Sequence, residues 1–201
     1  MKICDYMFEN INWKAVSAEI MGTFFLVFFG VSSLTNNAGV VSEGDGTLHI
    51  LIGLTTLTLT LYVLVHILGP VSGCHLNPVI TIPTYLSDKM DRDTTVAYIG
   101  GQIIGACLGF YLFDLINPGT SNSILDGDSA LLLAAIVGTA FFVTSLLTSQ
   151  DPGSIAATLF IVSSTAFGDV NPGVSLGNMI VTDVEFVFFG IVGSLIGCVI
   201  G

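Results

Sequence analysis

Positive charge is almost missing from this chain: four cations, Lys2, Lys14, Lys89 and Arg92, stand against 15 acidic residues. Nucleic acid binding depends on Lys and Arg to neutralise phosphates, so no nucleic acid partner is expected. Charge of either sign is scarce as well. Charged residues make up 9% of the chain, whereas a soluble domain carries about 25% because its surface faces water. The net charge of -11 gathers in short clusters between long uncharged runs. Cysteine is sparse: Cys4, Cys74, Cys107 and Cys198 show no C-x-x-C spacing, which argues against a metal site or a disulfide framework. No Ser-His-Asp set or Gly-rich phosphate loop is evident and only three His occur, so neither enzyme activity nor a cofactor is expected. The first apolar run has no small-residue cleavage site and is too long for a signal peptide.

What remains is apolar. Hydrophobic residues reach 52% and the mean hydropathy is +0.88, which points to a lipid-covered surface. A helix needs about 20 mostly apolar residues to cross hydrocarbon, because no backbone group can be left unpaired there. Such runs extend over 14–34, 47–68, 94–115, 129–148 and 183–201, with a weaker one from Gly153 to about Phe167. Two shorter apolar pieces begin at Asn77 and Asn171, each opening with Asn-Pro after a Gly-containing turn. The expected fold is an all-α membrane protein of six transmembrane helices and two re-entrant half-helices, forming one domain over residues 1–201. Folding both short pieces back places all four cations on one side, the cytoplasmic one by the positive-inside bias, together with the N-terminus.

The two halves, about 14–115 and 129–201, echo each other. Ala18-Glu19-Ile20-Met21-Gly22-Thr23 matches Ala134-Ala135-Ile136-Val137-Gly138-Thr139, and Gly105, Ala106 and Gly109 match Gly193, Ser194 and Gly197. With three spans per half, the second copy enters from the opposite face, giving an inverted repeat with its site at the midplane.

Asn before Pro is a helix start with a mechanism. The Asn side-chain oxygen accepts a backbone N–H, and Pro at the first helical position has none to satisfy. Each half-helix therefore aims a positive end of roughly half a charge at the bilayer centre. The Asn NH2 groups are left to donate to a passing oxygen, which breaks a proton-conducting chain of waters. Asn117-Pro118 also occurs, but it sits in a polar stretch and reads as a turn.

Ser72-Gly73-Cys74-His75-Leu76-Asn77-Pro78-Val79-Ile80-Thr81 resembles the first pore loop of the aquaporin and glycerol-facilitator family. Ala18-Glu19 with Gly22-Thr23-Phe24 is similar to that family's first helix, and Tyr98, Gln102, Gly105 and Ala106 to its third. The resemblance covers essentially the whole chain. It implies a pore in each protomer of a homotetramer within the bilayer, passing water or small neutral solutes. It also implies that Glu19 braces the pore loop and that His75 lines the approach to Asn77.

The second motif departs from the family. Its pattern N-P-A-R-S becomes Asn171-Pro172-Gly173-Val174-Ser175, so Val174 replaces the filter Arg. The other filter positions fall on Leu57, Gly168 and Leu159. If the shortening of the second half lies between span 5 and Asn171, Ser164 or Thr165 takes the place of Leu159. Asp169, near the outer mouth, is either a solvated loop acid or a group that concentrates cations or binds polar solutes. Cys74 is the symmetry partner of Gly168, and is either a mercurial target or a small space-filling thiol. A passive channel for water or small uncharged solutes (glycerol, urea, ammonia) is the leading expectation. A secondary transporter and a non-conducting structural protein are the alternatives.

Overall fold

The computed structural model describes residues 11–34, 46–117, 129–149, 151–166, 170–182 and 188–200, and structural statements refer to these. Helix α1, Trp13–Phe25, starts where Asn12 Oδ1 accepts the Ala15 N–H at 3.3 Å. It runs on through a π turn, Leu26–Gly30, and a 3-10 turn, Val31–Leu34. Helix α2 is Gly46–Ser72, the half-helix α3 is Pro78–Leu86, and α4 is Arg92–Ile116. In the second half α5 is Ser129–Thr148, α6 is Pro152–Ala166, the half-helix α7 is Pro172–Thr182, and α8 is Phe188–Ile200. Short polar caps begin several of these helices. Asp91 Oδ1 accepts from Thr94 N–H at 2.9 Å and Asp151 Oδ2 from Ser154 N–H at 2.8 Å, satisfying donors that the helix itself leaves open.

Three stretches are long and apolar enough to cross a membrane: Trp13–Leu34, Thr47–Ser72 and Arg92–Ile116. The apolar helices of the second half are shorter within the described residues. Leu133, Val137, Phe141, Ile161, Val199 and Ile200 are exposed along them. Large apolar side chains turned outward on helix after helix are costly in water and favourable in lipid.

Packing follows the repeat. Helix α1 lies along α4, and α5 along α8. A Cβ on Gly105 would fall 3.0 Å from Phe24 N, and one on Gly197 would fall 2.9 Å from Thr139 Cβ, so both crossings need glycine for backbone to meet backbone. The halves are then stitched together crosswise. The half-helix α7 packs on α4, α3 packs on α8, and α2 packs on α6.

Part of the difference in length between the halves lies between the helices. Helix α2 has 27 residues and α6 has 15. The connection from α5 to α6 is only residues 149–151, against 35–45 in the first half.

Candidate functional site

The tips of α3 and α7 meet. Asn77 is extended, with φ -157° and ψ 126°, and its Oδ1 accepts the Val79 N–H at 3.0 Å. Asn171 Oδ1 accepts the Val174 N–H at 3.2 Å. Each amide then reaches across to the other loop. Asn77 Nδ2 donates to the Val170 carbonyl at 2.7 Å, and Asn171 Nδ2 donates to the Leu76 carbonyl at 2.9 Å. The sequence reading left both NH2 groups for the lumen. The structure instead commits a donor from each amide to the facing loop, where a buried carbonyl without a partner would be costly. Gly173 keeps this approach free of a tight contact, since a Cβ there would lie 3.0 Å from Pro78 Cδ. On the other tip Val79 is fully buried in an apolar cluster with Val143 and Cys198.

Behind the first loop lies a buried carboxylate. Glu19 Oε1 accepts from Ser72 Oγ at 2.7 Å and from His75 N–H at 3.0 Å. Its Oε2 accepts from Leu76 N–H at 2.7 Å and from Gln102 Nε2 at 2.9 Å. These donors hold a backbone that sterics disfavour: Gly73, Cys74 and Leu76 have φ of 83°, 52° and 50°. A left-handed conformation costs a residue with a Cβ about 1–3 kcal/mol, and charge-assisted hydrogen bonds of roughly that strength offset it. Tyr98 Oη donates to the Ser72 carbonyl at 2.9 Å, while His75 Nδ1 lies 3.1 Å from Thr81 Oγ1, which also accepts from Gln102. In the second half the counterpart of Glu19 is Ala135, which is buried.

Both Asn residues border a cavity of about 600 Å³. Leu57 from α2, Leu159 from α6 and Val174 from α7 line it, and Cys74 and His75 border it beside the first loop. Leu57 and Leu159 belong to one apolar cluster with Leu61, Phe142 and Val162, and Val174 packs on Val27, Ala106 and Phe110. Ser164 also borders the cavity, and its hydroxyl donates to the Ile161 carbonyl of its own helix at 3.0 Å. Gly168 and Asp169 lie outside the described residues, as does the side chain of Thr165. Ser175 and Asn178, both buried on α7, also line the cavity, a place that the sequence reading did not assign to them. Their spacing from Asn171, four and seven positions, is the helical signal that marks them as sharing its face.

Major intrinsic protein is the family whose model matches residues 7–201. The chain belongs to that family. Curated relatives include "Probable aquaporin PIP2-7" of Oryza sativa subsp. japonica, 29% identical over 162 residues, covering 74% of this chain and 55% of that protein. The human lens fiber major intrinsic protein is 32% identical over 138 residues, 69% of this chain and 50% of its own length. The chain thus spans about half the length of these curated relatives. Among solved structures, the aquaglyceroporin from Plasmodium falciparum superposes with a TM-score of 0.68 at 18% identity, covering 94% of this chain and 91% of that one. This major intrinsic protein accordingly has the all-α, aquaporin-like membrane fold, an inverted repeat of spans and half-helices.

Proposed function

We propose that this chain forms a passive transmembrane channel for water and small uncharged solutes, with no enzymatic role. The observation that carries the reading is the reciprocal clamp of Asn77 and Asn171 at the meeting point of two half-helices, beside a cavity that both border. Two positive helix ends converge there and disfavour cations and protons. A passing oxygen meets amide donors at that point, which interrupts proton hopping along a water file. Glu19 holds the first loop, and His75 flanks the approach to Asn77. Leu57, Leu159, Gly168 and Val174 form the filter. Asp169 stands near the outer mouth.

The N-terminus lies on the cytoplasmic side in this reading. Met90, between Lys89 and Arg92, packs against the cluster of Ile11, Ala15 and Val16 around Lys14, so three of the cations gather at one end. The assembly is a homotetramer with a pore in each protomer, embedded in the bilayer.

Stopped-flow osmotic assays on liposomes containing the purified protein test the function. Rapid flux that neither saturates nor responds to ion gradients is expected. Saturation or gradient dependence would establish the transporter alternative, and liposomes indistinguishable from protein-free ones would establish a non-conducting role.

A further inference from the structure

We propose that Thr81 is a positioning residue that fixes His75 with its proton on Nε2, so that the neutral ring offers the cavity an N–H donor without a charge. The inference rests on the channel reading and gives His75 its part in it. It follows from counting protons and lone pairs in the network behind the first loop. The Glu19 carboxylate can only accept, so Gln102 turns its NH2 group to Glu19 Oε2, at 2.9 Å, rather than its carbonyl. The second proton of that NH2 group goes to Thr81 Oγ1 at 3.0 Å. Thr81 therefore accepts from Gln102 and has one hydroxyl proton of its own to place.

Two acceptors lie within reach of that proton: the Asn77 carbonyl at 3.2 Å and His75 Nδ1 at 3.1 Å. The Asn77 carbonyl already accepts the Ile80 N–H at 3.1 Å and the Thr81 N–H at 3.2 Å, which occupies both of its lone pairs. His75 Nδ1 has no other partner among the described residues. The hydroxyl therefore donates to Nδ1, and the ring proton stands on Nε2. Among the described residues Nε2 has no hydrogen-bond partner. A Cβ on Gly73 would come within 3.3 Å of it, so glycine leaves that edge of the ring open beside the cavity that both residues border. A water or solute oxygen at the first loop thus meets a donor at His75.

Nitrogen-15 NMR of the reconstituted protein, labelled at histidine, reads the position of the proton. His49→Gln and His66→Gln, both outside this network, identify the remaining signal as that of His75. At neutral pH the expected spectrum has a proton-coupled Nε2 and an unprotonated Nδ1. Thr81→Ser should keep this pattern and the water flux of the wild type. Thr81→Val, close to threonine in shape, should lose the single tautomer and lower water permeability about fivefold, the factor of one neutral hydrogen bond. A proton on Nδ1 in the wild type, in the other tautomer or in a doubly protonated ring, overturns the proposal. So does a folded Thr81→Val protein whose tautomer and flux match the wild type, and the wild-type spectrum decides if that variant does not fold. No water flux through the wild type removes the channel reading, while the spectrum still decides the tautomer.

Discussion

Glu19 shows how much one side chain can decide. A carboxylate inside a membrane protein is expensive, and this one is fully buried with hydrogen bonds from Ser72, His75, Leu76 and Gln102. All these partners are donors, so an amide in its place presents an NH2 group to backbone N–H groups that need an acceptor. Glu19→Gln should destabilise the folded protein by about 1–3 kcal/mol for each donor left unpaired. The loss should appear as a lower unfolding temperature in detergent, and unchanged stability would show that the left-handed turn at Cys74 and Leu76 holds without the carboxylate. Gln102 Oε1 is buried and has no hydrogen-bond partner among the described residues. This is consistent with a side chain placed for what its NH2 group does.

At the scale of elements, the two half-helices are alike in capping and unlike in contact. Both start with Asn-Pro, but the third residue is Val79 on one and Gly173 on the other. Val79 faces α5 and α8, whereas Gly173 faces Pro78 of the opposite tip, with a hypothetical Cβ 3.2 Å from Pro78 Cγ and 3.3 Å from Asn171 Oδ1. Gly173→Ala needs a shift of a few tenths of an ångström and should leave water flux largely intact. Gly173→Val adds two further methyl groups at the tightest point, costs about 1–3 kcal/mol as overpacking, and should abolish flux or folded yield. Equal behaviour of the two variants would mean that the tips do not need this close approach. The α5–α6 connection belongs to the same scale: residues 149–151 make that hairpin tight, and Leu159 of α6 lines the cavity.

At the scale of the molecule, the proposed orientation rests on the gathering of Lys14, Lys89 and Arg92 at one end. A cysteine in place of Lys89, an exposed residue, should react with an impermeant maleimide only from the cytoplasmic side of sealed vesicles, above the wild-type background. Labelling from the opposite side would invert the topology.

Much of this molecule was readable before any coordinates. Apolar run lengths, the Asn-Pro pair and the echo between the halves depend on local capping and on the span a bilayer demands, both written in consecutive residues. The partners of Glu19 were not readable as a set, because Ser72, Leu76 and Gln102 are brought to it only when α1, α4 and the first loop pack. Nor was the destination of the Asn amide protons. A chain pattern shows that a donor exists, but a carbonyl on a loop 93 positions away enters only when the second half folds against the first. The sequence by itself determined which segments enter the membrane and which residues cap the half-helices, since those are local energies. Only the tertiary structure decided what each cap faces and which aliphatic side chains line the cavity, because those energies arise between residues far apart in the chain.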